Sequence, residues 1–314
     1  MNINNTFITI GFICLSGVFF YIIRTKLRHV RKKKLYCYWS IGYQYSSDPF
    51  KWDIQNSKIY NKDQVPIDAK SLADPFLLSH KGKLYLFYEI CLKSVPEAKI
   101  GVSVFNANED KWIFLSIVLD EPFHLSYPYV FTHGSDIYMI PESKNAKSVR
   151  LYRATDFPCK WELEKILIQN KKFVDSSIIY WHNKFYLFTT RKRRLYLYYS
   201  DSLTKGWKVH PKSLIKFWNH ARCGGRFFEH KGSLYRFAQE QAKGYGMGVH
   251  VYKICELSPT TYKEIAIDKK AMFEPFGEGW ANSGMHHVDI LKISENKYLS
   301  VFDGKHCSPT KPAK

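Results

Sequence analysis

Apolar and polar residues alternate in short runs along most of the chain, at the two-residue period of a half-buried strand rather than the 3.6-residue period of a helix. From Asp74 to Glu89 the run DPFLLSHKGKLYLFYE holds two such segments, split by Lys81-Gly82, which predicts a β-hairpin. The pattern returns as YPYVFTHGSDIYMIPE from Tyr127 to Glu142, DSSIIYWHNKFYLFTT from Asp175 to Thr190 and GGRFFEHKGSLYRFAQ from Gly224 to Gln239. A weaker copy, HVDILKISENKYLSVF, runs from His287 to Phe302. A tyrosine holds the same place in every copy: Tyr85, Tyr138, Tyr186, Tyr235 and Tyr298. A second hairpin follows each of the first four, its last strand opened by Trp112, Trp161, Trp207 or, in the fourth, Tyr262. Repeats of about 40 to 50 residues with four strands each are the signature of propeller blades, so the pattern predicts an all-β fold, a five-bladed β-propeller.

The fifth repeat runs out of chain after Phe302, and the missing pair of strands lies at the other end. Residues Leu35 to Ile54, LYCYWSIGYQYSSDPFKWDI, match a second hairpin, with Trp52 at the tryptophan position. The N-terminal strands are therefore expected to complete the last blade and close the ring, burying edges otherwise open to aggregation. That makes residues 35–305 one propeller domain and 306–314 a disordered tail. Residues 1–24 are expected to be a transmembrane anchor, because Phe7 to Ile23 carry no charge and just reach across a hydrocarbon core. Residues 25–34 form a basic juxtamembrane segment. A cleaved signal peptide would place its basic residues before the apolar run, and here they follow it.

The flanking cluster Arg24, Lys26, Arg28, Arg31, Lys32, Lys33 and Lys34 predicts a single-pass membrane protein with a cytoplasmic propeller, the Golgi lumen being the alternative. Seven cysteines without disulfide-like spacing fit a reducing compartment. The formal charge is +19; without the seven juxtamembrane cations it is still about +12. A membrane surface is one expected partner, and an anionic sugar or lipid headgroup another. Nucleic acid is not expected, since the basic tract Arg191 to Arg194 falls in a hairpin turn without any RNA-binding signature.

Inner propeller strands begin at the central channel, which directs attention to Asp74, Tyr127, Asp175, Gly224 and His287 and to their neighbours His124, Ser126, Arg222, Arg226, His286 and Asp289. Packing alone would favour Val, Ile or Leu there; carboxylates, imidazoles and guanidinium groups suit a polyhydroxylated or charged ligand. Asp74 and Asp175 read as a general base and a partner that tunes its pKa, or else as acceptors of backbone N–H bonds at a blade start. The second-strand ends Glu89, Glu142 and Glu240 are further candidates left open; Glu142, after Pro141, either turns into the mouth or stays a solvated rim carboxylate. Arg222 and Arg226 bracket Gly224-Gly225, where bare backbone admits a ligand and two guanidinium forks grip phosphate or carboxylate; the alternative is surface solvation. His124, Tyr127, His286, His287 and Asp289 complete the expected substrate-binding set. No metal and no cofactor is expected, because alternation sends His286 and His287 to opposite faces and no phosphate loop is present.

These residues lie in motifs that carry a resemblance: WSIGYQ at Trp39, ADPF at Ala73, HLSYPYVF at His124, LYRATDFPCKWELEK at Leu151, FVDSSII at Phe173, RCGGRFF at Arg222 and HHVDI at His286. In this order, from Trp39 to Gly304, they resemble the N-terminal domain of plant glucosamine inositolphosphorylceramide transferases. That domain is similar in turn to the five-bladed propellers of furanosidase-type glycoside hydrolases. The resemblance implies three funnel carboxylates, two of them Asp74 and Asp175; with Gly224 at the fourth blade, the third has to be Glu142 or another rim residue. The plant proteins resemble a fusion to a separate C-terminal glycosyltransferase domain, which this chain does not reach. The expectation is a membrane-anchored carbohydrate-active propeller in glycoconjugate or glycolipid synthesis, acting as glycosyltransferase or as acceptor-binding partner of a separate one. Two readings stand beside it: a furanosidase-type glycoside hydrolase with Asp74 as base and Glu142 as acid, and a non-catalytic scaffold with an apolar plug in its channel.

Overall fold

The computed structural model describes residues 35–309; the expected membrane span, the basic juxtamembrane segment and the last residues of the tail lie outside them. The described residues form five antiparallel sheets joined by loops and short 3-10 turns, with no helix long and apolar enough to cross a membrane among them. The fold is an all-β, five-bladed propeller. Blade one comprises strands Ala69–His80, Lys83–Leu92, Lys99–Asn106 and Lys111–Leu119, and blade two Ser126–His133, Asp136–Glu142, Val149–Asp156 and Lys160–Ile168. Blade three has Val174–Trp181, Lys184–Arg191 and Arg194–Ser200, the last paired with both Lys208–Val209 and Lys216–Phe217. Blade four has Phe228–His230, Ser233–Gln239, Val249–Leu257 and Tyr262–Ala266. In the fifth sheet the order from the inside is Val288–Ser294, Lys297–Ser308, Tyr36–Ser46 and Lys58–Tyr60.

The repeat tyrosines mark equivalent rungs. Tyr85 pairs with Leu78, Tyr138 with Phe131, Tyr186 with Ile179 and Tyr235 with Phe228, four residues past the aligned first position each time. Tyr298 pairs with Lys292, one residue further on, beside a register shift between Lys292 and Ser294. The turns obey hairpin chemistry: Lys81-Gly82, Lys192-Arg193 and Lys231-Gly232 all take positive φ, matching the strand twist. Between blades, apolar faces stack into continuous clusters. One runs from Phe76 and Phe87 through Val130, Met139 and Leu151 to Phe188 and Leu197.

Three local expectations are corrected. Trp52 does not open an outer strand; that strand is Lys58–Tyr60, and Trp52 sits in the preceding loop, wedged against Phe273 and Phe302 with its indole N–H donated to Ser300 Oγ at 2.9 Å. The last strand continues to Ser308, so His306 and Cys307 belong to the blade and not to a tail. Cys307 forms a disulfide with Cys37, across a sequence separation of 270, against the expectation of reduced thiols. Distance in sequence hid it: the two cysteines meet because Tyr36–Ser46 lies beside Lys297–Ser308.

Candidate functional site

The inner strands of blades one, two and three share one irregularity. The four residues from Ala73 to Phe76 face the three from Phe87 to Glu89; Ser126 to Tyr129 and Val174 to Ser177 repeat the offset. Each is a β-bulge, and the extra residue takes left-handed backbone: Asp74 at φ 49°, Tyr127 at 47° and Asp175 at 45°. Such a conformation costs a non-glycine residue roughly 1 to 3 kcal/mol and persists only where its surroundings enforce it. Its product is a side chain turned out of the pleat toward the axis.

Of the three, Asp74 reaches the mouth, where it lines a cavity of about 430 Å³ with Glu89, His124, Glu142, Arg222 and His286, and with Lys70, Lys144 and Lys305 on its rim. Trp39 stacks on the His286 ring at 4.5 Å, and Tyr245 Oη lies 2.5 Å from its Nε2. Volume and lining suit a sugar-sized polar ligand. Asp74 is the hub: its Oδ2 accepts the Tyr127 N–H at 3.1 Å, its own N–H points to Asp303 Oδ2 at 3.4 Å, and His286 Nδ1 stands 3.8 Å from Oδ1. Burial, reinforced by the Glu89, Asp175 and Asp303 carboxylates, raises its pKa well above the usual range against the pull of His286. For His286 burial alone would push the pKa down, but Asp303, 2.6 Å from Nδ1, raises it.

Asp175 lies under the mouth, 1% exposed and outside the lining. Burial pushes it up, but the bidentate Arg222 guanidinium, one contact at 3.1 Å, holds it below the ordinary carboxylate range, and Gln239 Nε2 donates to it at 2.7 Å. Glu142 shares the same arginine at 3.6 Å and is driven the opposite way, by burial and then by Asp175, to about 8. Two neighbouring carboxyls with pKa values forced apart, one ionised and one holding its proton, are equipped for distinct proton roles.

The remaining expected residues divide sharply. His124 lines the cavity, its Nε2 3.6 Å from Glu89. Tyr127, Arg226, His287 and Asp289 do not; they are packed beneath it. Tyr127 Oη binds Ser177 Oγ at 2.8 Å and both the N–H and carbonyl of Gly225 at 2.9 Å. His287 turns away from His286, with Nε2 2.9 Å from the Pro75 carbonyl. Arg226 is a strut, bound to Asp289 at 2.9 and 3.2 Å and to the carbonyls of Val130 and Leu77. Gly224-Gly225 admits no ligand either: a Cβ on Gly225 would stand 1.8 Å from the Val288 carbonyl oxygen, so the glycines serve the contact between blades four and five.

Sequence reading omitted Asp303, Tyr245 and Trp39 from the site and left Glu89 undecided. For two of these a signal existed. Glu89, like Glu142, falls four residues past its repeat tyrosine, and Asp303, like Glu240, falls five past. Tyr245 reaches the site on a loop outside every repeat.

The Glu142 shift has a stability consequence. The folded chain keeps this proton up to about pH 8, whereas the unfolded chain releases it near the ordinary 4.5. Between those values the unfolded state binds fewer protons, so stability falls as pH rises. Glu89, raised to about 7, acts in the same direction. Glu142→Gln is neutral throughout, so its stability relative to wild type should climb from pH 5 to 8, by at most about 1.4 kcal/mol per pH unit. Denaturant melts of both proteins across that range test this; parallel curves would contradict it.

Residues 51–305 match the family described as glucosamine inositolphosphorylceramide transferase 1, N-terminal. The chain is 31% identical to glucosamine inositolphosphorylceramide transferase 1 of Oryza sativa subsp. japonica over 94% of its length and 44% of the relative's. For the Arabidopsis thaliana protein the figures are 33%, 85% and 39%. The chain thus spans less than half the length of these relatives. Among solved structures, the α-L-arabinofuranosidase of Podospora anserina aligns over 84% of this chain and 97% of its own, with TM-score 0.58 at 10% identity. A family 117 glycoside hydrolase from Zobellia galactanivorans aligns over 84% and 90%, with TM-score 0.51 at 12% identity. These last two likenesses establish the propeller fold alone. Because the family match covers most of the propeller, this chain belongs to the glucosamine inositolphosphorylceramide transferase 1 N-terminal family.

Proposed function

We propose that the propeller is a carbohydrate-active component of glycolipid synthesis whose funnel takes a sugar bearing an anionic group, of the phosphoinositol class. One observation carries this reading: Asp74, Glu89, Glu142 and His286 share a single cavity with Arg222 and three rim lysines. Carboxyls and imidazole suit sugar hydroxyls, and the cations suit a phosphate. The relatives' name supports glycolipid synthesis. The polar lining weighs against an apolar plug, and hence against the pure scaffold. The glycosidase, with Asp74 as base and Glu142 as acid, remains the second reading; a Glu142 that holds its proton suits the acid, whereas the raised pKa of Asp74 weighs against it as the base.

In this reading the propeller presents the acceptor, and a transferase on the same or another chain supplies the sugar. The span at Phe7 to Ile23 holds it at the membrane, and the N-terminal strands close the ring, a role supported by the disulfide between Cys37 and Cys307. The same disulfide supports a lumenal propeller over a cytoplasmic one, since such bonds persist in oxidising compartments. Titrating the purified full chain with inositol 1-phosphate and with myo-inositol tests the ligand class. Tighter binding of the phosphate is expected; equal affinities would overturn it.

A further inference from the structure

Beside the funnel, at the mouth end of blade four, three side chains that the proposed function leaves unused converge on one point. Glu240 follows the second strand directly, His250 is the second residue of the third, and His220 lies on the segment that leads to Arg222. His220 Nε2 is 3.1 Å and His250 Nε2 3.0 Å from the same oxygen, Glu240 Oε2. The two imidazoles stack with centroids 3.7 Å apart.

The surroundings orient the three as metal ligands are oriented. His220 Nδ1 is 2.6 Å from Tyr252 Oη, which fixes the ring and turns Nε2 inward. Glu240 Oε1 accepts the Ala242 N–H at 2.5 Å, so Oε2 is the oxygen left to share. Arg236 Nη2 donates to the His220 carbonyl at 3.2 Å and pins that segment to blade four. Glu240 and His250 are buried, while His220 is partly open to solvent. We propose that His220, Glu240 and His250 bind a divalent transition-metal ion of the zinc class, with its fourth position open to water. Two imidazole nitrogens and one carboxylate oxygen are a donor set that suits zinc, and three protein ligands with an open position is a common zinc arrangement. The ion ties the 218–222 segment to blade four and so fixes the approach of Arg222 to the funnel.

The test uses untagged, full-length chain stripped with a chelator and titrated with Co²⁺, whose visible absorption reports a tetrahedral site. One equivalent is expected to develop that spectrum, and Zn²⁺ to displace it. His250→Ala and Glu240→Gln should abolish it; the glutamine is nearly isosteric, so loss there, with an unchanged circular dichroism spectrum, does not reflect misfolding. Tyr252→Phe should keep the spectrum with affinity weakened by about 10- to 100-fold. Failure of the wild-type chain to develop a tetrahedral spectrum would overturn the proposal, leaving a hydrogen-bonded cluster. A spectrum retained in both ligand variants would also overturn it, moving the ion to Asp74, His286 and Asp303.

Discussion

Arg226→Met is expected to destabilise the propeller by about 3 to 5 kcal/mol, the range for breaking a buried ion pair from one side. The arginine precedes blade four, yet its guanidinium reaches Leu77 in blade one, Val130 in blade two and Asp289 in blade five. It also lies against the rings of Phe76 and Tyr129, at 5.5 and 5.0 Å. Methionine replaces the stem but none of these donors, leaving Asp289, 1% exposed, to lean on the Leu77 N–H at 2.7 Å. An exposed pair such as Lys93 with Asp68 offers the control, since its loss should cost about 0 to 1 kcal/mol. Denaturant unfolding measures both. Replacing the pair together, Arg226→Met with Asp289→Leu, should recover part of the loss, because the penalty lies in the orphaned charge. A single-variant cost under about 1 kcal/mol would contradict the strut.

The second large effect concerns recognition. Arg222→Met is expected to weaken binding of an anionic sugar by about 2 to 5 kcal/mol, or roughly 30- to 4,000-fold, while leaving affinity for a neutral sugar nearly unchanged. Arg222 lines the cavity and already neutralises Asp175; Glu142 keeps its proton beside them. Without the guanidinium the funnel holds carboxyls without their central cation, and an incoming phosphate meets repulsion. Asp175 still has Gln239 as a donor and can take up a proton, so this variant should lose less stability than Arg226→Met. Titration with inositol 1-phosphate checks it; unchanged affinity would remove Arg222 from the site.

The two arginines show how far the sequence could be read. Both flank the same glycine pair and read alike, as forks aimed at a ligand. Their fates differ because Arg226 meets Asp289 from another blade, a contact made only when the ring is assembled. The blade count, by contrast, was legible from five tyrosines and the hairpins around them, since period and turn chemistry are local. Asp74 and Asp175 were legible because a polar residue opening an inner strand has no packing reason to be there. The bulges that aim them leave no composition signal: Asp74, Tyr127 and Asp175 share left-handed backbone without a glycine among them. Trp39 and Tyr245 come from the N-terminal strand and from a loop outside every repeat, so pattern matching alone passed over them. The pairing of Cys37 with Cys307 depends on which strands become neighbours, and spacing alone carries no trace of that.

The measurement that bears most directly on the funnel is a side-by-side titration of wild-type chain, Arg222→Met and Arg226→Met with inositol 1-phosphate and myo-inositol, at a temperature where all three are folded. The account predicts a preference for the phosphate in wild type and in Arg226→Met, and its loss in Arg222→Met. A preference that survives in Arg222→Met, or one that disappears equally from both variants, would contradict it.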